Sequence, residues 1–182
     1  GMHIKLVDRV TKEKAEENCS RCHGSAHEIA VNPRATPEFC AGCHARVSAQ
    51  YKASVHGVAR ANGDSDASTC EDCHGPAHAV RAHTDSLSAV SHNNLAGTCG
   101  RCHSDREIVA RRKITIPLAV QLFTESVHGR SKNLHAATCN DCHESHDLRR
   151  AVDPASSIYR TNIPGTCGQC HRTGVVQCAV AF

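Results

Sequence analysis

The chain has 182 residues and is only 3% aromatic, with no Trp, two Tyr and three Phe, so protein side chains alone supply little of the bulk that builds a core. Its formal charge is +3, and the Lys and Arg are spread along the chain rather than gathered into a stripe, which argues against nucleic acid as a partner. No apolar run approaches the length of a membrane span.

In chain order, Gly1 to Val10 lacks the apolar centre of an export signal, as expected of a mature form or an excised segment. Thr11 to Asn18 holds good helix formers and predicts a helix leading into Cys19-Ser-Arg-Cys22-His23. After Cys40-Ala-Gly-Cys43-His44, a short helix is predicted over Ala45 to Ser54. Cys70-Glu-Asp-Cys73-His74 and Cys99-Gly-Arg-Cys102-His103 follow. The stretch Arg111-Arg-Lys-Ile-Thr-Ile-Pro-Leu118 reads as a loop leading into a helix from Pro117 to Ser126, with Pro at its start. Then come Cys139-Asn-Asp-Cys142-His143 and Cys167-Gly-Gln-Cys170-His171. The tail from Val175 to Phe182 is apolar but too short to cross a membrane, and no alternating run argues for strands.

Six Cys-x-x-Cys-His motifs thus use twelve of the thirteen cysteines. This is the pattern of c-type haem attachment, in which two thiols bond to the porphyrin and the next histidine binds the iron. Zinc sites also use Cys-x-x-Cys knuckles, and disulfides suit an exported protein, but neither needs a His after every second Cys. Six covalent haem c groups would supply both cross-links and apolar filler, and the apoprotein is expected to be unfolded. Each haem adds two propionates and about one positive charge, turning the +3 of the polypeptide into about −3. Cys178 stands outside every motif, a spare thiol or an intermolecular link.

The motifs alternate between two kinds. One is followed closely by a second histidine, at His27, His78 and His146. The other has a small residue after its first Cys, at Ala41, Gly100 or Gly168. Tyr51-Lys-Ala-Ser-Val-His56-Gly57 recurs as Phe123-Thr-Glu-Ser-Val-His128-Gly129, and Asp85 and Asp153 each lie fourteen residues before a first Cys. The expected architecture is mostly coil with short α-helices, one domain over 1–182 wrapped around a stacked haem chain. It would hold three two-haem repeats, at about 1–48, 49–109 and 110–174, and a tail at 175–182.

Each motif histidine (His23, His44, His74, His103, His143, His171) gives its iron one ligand. Only Met2 could act as a methionine ligand, so the opposite ligands should be mainly histidine. The repeat selects His27, His78, His146, His56 and His128. His3 sits roughly where a third copy of the Ser-Val-His ligand would be, which brings the number to six. His83, His92 and His135 have no repeat partner and are expected to meet a propionate or solvent.

These landmarks resemble the paired-motif multihaem c-type cytochromes, in which Thr-Cys-x-Asp-Cys-His-Gly-x-His alternates with Thr-Cys-Gly-x-Cys-His and Tyr-x-x-Ser-Val-His-Gly lies between. The resemblance covers Cys19 to His171, with its pattern at Thr69 to His78, Thr98 to His103, Thr138 to His146 and Thr166 to His171. It implies closely stacked haems, bis-histidine iron, respiratory electron transfer, and a trailing histidine that serves a haem other than its neighbour. Haem c is attached outside the cytoplasmic membrane, so a periplasmic or extracellular location is expected. The leading function is an electron carrier or conduit for redox partner proteins or an extracellular acceptor. One form of it is a homopolymeric nanowire in which a neighbour's histidine, such as His3, completes a haem. The competing class is a multihaem oxidoreductase of the nitrogen or sulfur oxyanion type, with one open haem.

Overall fold

The computed structural model describes His23 and residues 36–172. Among these residues the chain is helix and coil with no strand, in keeping with the expected class. The predicted helix over Thr11 to Asn18, together with Cys19, Cys22, His3, His27 and the tail with Cys178, lies outside the described residues.

Helix α1 (Pro37–Ala53) begins eight residues before the predicted Ala45 and carries the second motif in its first half. Pro37 at its start and Glu38 in its first turn favour initiation there. The backbone leaves helical geometry at His44 (φ −112°, ψ 43°), which divides the motif from the predicted half. Ser54 then caps α2 (Val55–Ala61), accepting from the Gly57 amide at 3.1 Å, and its own amide donates to the Tyr51 carbonyl at 2.9 Å. A Cβ on Gly57 would collide with that Tyr51 carbonyl, so this turn demands glycine. The second copy repeats the turn, though no helix follows it: Gly129 donates to Ser126 Oγ at 3.1 Å, and its missing Cβ would strike the Phe123 carbonyl.

Motif helices α3 (Cys70–His74) and α7 (Cys139–His143) are started alike. The amides of Thr69 and Thr138 donate to Asp72 and Asp141 at 2.7 and 2.6 Å, with both threonines buried. A 3₁₀ turn (Ala77–Ala79) follows α3. Ahead of α4 (Leu95–His103) and α8 (Ile163–Gly168) lie two matching loops. Asp85 and Asp153 each accept from an amide two residues on at 2.9 Å. Asn94 and Asn162 each donate to two loop carbonyls at 2.8–2.9 Å, and Thr98 and Thr166 to one at 2.6 and 2.7 Å. These bonds recur at one constant sequence offset.

Between the copies, Asp105 caps α5 (Arg106–Arg112) by accepting from Glu107 and Ile108 at 2.9 and 3.0 Å. The last turn of α5 sends Arg111 and Arg112 onto Asp66, each through Nε at 2.8 Å. That clamp ties the loop before the third motif to the stretch from Arg111, whose first two residues close α5 rather than standing in the expected loop. Helix α6 (Ala119–Glu125) falls within its predicted limits, and Val120 packs 3.4 Å from where a Cβ on Gly100 would be.

Among the described residues only Ala67 and Val109 are buried apolar side chains, while seven buried residues are Ser or Thr. Leu87, Val127 and Val152 are 71–78% exposed. Burial of aliphatic side chains therefore contributes little here. Local hydrogen bonds shape the chain.

Candidate haem sites

From the second motif to the sixth, each Cys-x-x-Cys-His runs along helical or near-helical backbone, so first Cys, second Cys and His at positions i, i+3 and i+4 share one face. Even the sixth motif, which runs past the end of α8, keeps this spacing through the His171 amide, which donates to the Cys167 carbonyl at 2.9 Å. Among the described residues no cluster of three or more His, Cys, Asp or Glu converges as a zinc site would need.

The imidazoles meet in twos. His23 faces His78 with ring centres 5.8 Å apart, and His74 faces His146 at 6.0 Å. His103 faces His56 at 6.2 Å, and His171 faces His128 at 6.0 Å. In every pair one ring belongs to a motif and the other does not. An imidazole nitrogen binds a first-row metal at about 2 Å and its ring centre lies roughly 1 Å behind it, so two imidazoles across one iron sit about 6 Å apart. The four pairs fit a bis-histidine haem iron. Ring planes range from nearly parallel at His74 and His146 (6°) to nearly perpendicular at His56 and His103 (76°).

Several long-range bonds bring the pairs together. Val55 donates to the Leu148 carbonyl at 2.9 Å, linking α2 to the segment that carries His146, and Tyr51 Oη donates to the Ser68 carbonyl at 2.8 Å ahead of the third motif. Arg101 of the fourth motif donates to the Asp72 carbonyl of the third. Residues 24–179 match the NapC/NirT cytochrome c family, N-terminal region. The chain belongs to this family of multihaem c-type cytochromes. No curated protein and no solved structure matches it.

Membership brings covalently bound haem c and electron transfer to this NapC/NirT-family cytochrome, and the thiols show how its motifs follow one another. The Cys40 and Cys70 thiols interact, joining the second motif to the third. Cys99 and Cys139 do the same for the fourth and fifth, an interaction that holds Cys139 down at about 7 and pushes Cys99 up. Cys73 feels Cys99, and Cys142 feels Cys167. Consecutive motifs from the second to the sixth are therefore neighbours. Cys170 is disulfide-bonded in this structure, and a thioether to haem at that sulfur requires that bond to be absent.

Burial lowers the pKa of His56, His103 and His146, with His103 adding to it at His56, and Arg46 and His44 at His146. A lowered pKa keeps these rings neutral, the form that offers a nitrogen lone pair to a metal. No imidazole faces His92, His135 or, in the fifth motif, His143 among the described residues. Which histidines face each other was hidden in the spacing. The loop residues Ser88 and Ser156, Asn94 and Asn162, were also missed, although the offset that relates Asp85 to Asp153 would have found them.

Proposed function

We propose that the chain is a hexahaem, paired-motif cytochrome that passes electrons through mainly bis-histidine irons, in the periplasm or outside the cell. Bound haem supplies a one-electron redox centre at each site. The chain contributes two imidazoles to close an iron and fixes the order of the sites. The reading is carried by the four facing pairs, each joining a motif histidine to His56, His78, His128 or His146. An iron held on both faces leaves no position for substrate, which favours electron transfer over chemistry on a bound molecule. Adjoining thiols of consecutive motifs support short steps between sites.

The three modules, at about 1–48, 49–109 and 110–174, belong to the same reading, supported by the bonds shared between residues 69–103 and 138–171. Among the described residues no helix is long and apolar enough to cross a membrane. Partners on this reading are redox proteins or an extracellular acceptor, with a homopolymeric nanowire as one assembled form. A second reading, an oxidoreductase acting on nitrogen or sulfur oxyanions, draws on one observation: His143 faces no second imidazole among the described residues.

The test is a haem count by pyridine haemochrome and mass spectrometry on the holoprotein, followed by a redox titration. Six haems per chain titrating over a broad low-potential range is the expected result. Turnover of nitrite, hydroxylamine or tetrathionate that depends on the fifth motif would put the second reading first.

A further inference from the structure

The four facing pairs differ in how their rings are turned, and the difference follows the origin of the second histidine. His56 and His128, each in a Ser-Val-His-Gly turn, stand across from their partners with ring planes 76° and 50° apart. His78 and His146, each just behind a motif, stand at 36° and 6°. Side-chain rotamers depend on the local backbone, and the two kinds of histidine sit on different backbone. His56 follows Ser54, whose fully buried hydroxyl accepts from the Gly57 amide at 3.1 Å and donates to the Tyr51 carbonyl at 2.7 Å. His78 lies in a 3₁₀ turn, and His146 in a bend outside any helix.

Axial ligands are among the levers that set the potential of a haem, and the angle between their rings is part of that lever. Each imidazole raises the iron d orbital that lies across its ring plane. Parallel rings raise the same orbital, which parts it from its twin and stabilises the ferric state, whose electron vacancy settles there. Crossed rings raise different orbitals, leave the two nearly equal in energy and withdraw that stabilisation. The third and fourth motifs give the sharpest contrast, His74 with His146 at 6° and His103 with His56 at 76°. All four residues are half-buried, so solvent access does little to separate the two sites. The two sites also adjoin. Arg101 of the fourth motif donates to the Asp72 carbonyl of the third, and Cys73 feels the Cys99 thiol.

We propose that the fourth site, held crossed by the Ser54 turn, is easier to reduce than the third, so that an electron passes from the iron of His74 to that of His103 and rests there. This rests on the haem-binding reading above. The step moves one electron: the third site goes from ferrous to ferric as the fourth goes from ferric to ferrous. Ser54 is a positioning residue, since it touches no iron and acts through the plane of His56.

The holoprotein is titrated from oxidised to reduced while electron paramagnetic resonance is recorded. A crossed low-spin ferric iron gives a strongly anisotropic signal at high g, and a parallel one gives a rhombic spectrum. Wild type should show both, with the high-g signal lost first as the potential falls. His56→Ala should remove one haem's worth of high-g signal and His146→Ala one of rhombic signal, each leaving a high-spin haem in its place. Ser54→Ala should keep its irons low-spin, yet move the His103 signal toward rhombic and lower its midpoint. A merely structural role for Ser54 would move neither. Wild type with rhombic signals alone, or with the high-g signal lost last, would overturn the proposal without recourse to any variant. So would loss of a rhombic signal in His56→Ala, or a wild-type spectrum and midpoint in Ser54→Ala. A haem count below six, or wild-type irons that are mostly high-spin, would instead count against the underlying reading.

Discussion

Residues 69–103 and 138–171 are built on the same bonds and end in different circumstances. Thr69 and Asp72 start one motif helix as Thr138 and Asp141 start the other, and Asn94 and Thr98 brace one loop as Asn162 and Thr166 brace the other. Yet His74 of the first faces His146, while His143 of the second faces no imidazole among the described residues. The residue just after the motif also differs while its backbone does not: Gly75 and Glu144 both take positive φ, 84° and 67°. Local bonding copies itself wherever the residues recur. The facing imidazole is not local: His146, which faces His74, trails the motif two places further on.

The comparison breaks most visibly at His146. His146→Ala should open one face of His74's site, adding one high-spin, carbon-monoxide-binding haem, whereas His92→Ala should add none. Next is the turn that delivers His56. Gly57→Ala forces a Cβ onto the Tyr51 carbonyl and should cost about 2–3 kcal/mol in denaturant unfolding, with Gly129→Ala matching it if the copies are equivalent.

A smaller change tests the residue after the motif. Glu144 holds a conformation (φ 67°, ψ 174°) that suits glycine, so Glu144→Gly should stabilise the protein by about 1 kcal/mol, and Gly75→Glu should destabilise it. The smallest effect is expected at the clamp between α5 and Asp66. Arg111, then Arg112, hold the Asp66 carboxyl at about 2, below its ordinary 3.8. A depressed carboxylate contributes stability above its unfolded value and loses it as pH falls through the folded one. Wild type should therefore exceed Asp66→Asn in stability above about pH 4, and the two should converge near pH 2, with salt narrowing the gap.

Much of this molecule was legible beforehand. The six motifs, the recurring Ser-Val-His-Gly and the trailing histidines are chemistry written in residue type and spacing, and the helix at Ala119–Glu125 announced itself through Pro117. The start of α1 was less legible, because Pro37 and Glu38 initiate a helix that His44 then interrupts. Which histidine faces which motif was less legible too, because His78 crosses back to His23 and His146 to His74. No spacing rule reports such crossings, since they are fixed by contacts such as Val55 with Leu148, far apart in the chain.

On the ligand reading, the crossing of trailing histidines would set a timetable for making an exported chain. A chain exported from its N-terminus presents the first motif long before His78 follows, and the third long before His146. On the ligand reading, the earliest haems attached are left with one bare face while later segments are still crossing the membrane. A truncated product would keep such a face for good, able to react with oxygen or peroxide. Quality control in the exporting compartment would then recognise unfinished chains by their reactive iron rather than by exposed apolar surface.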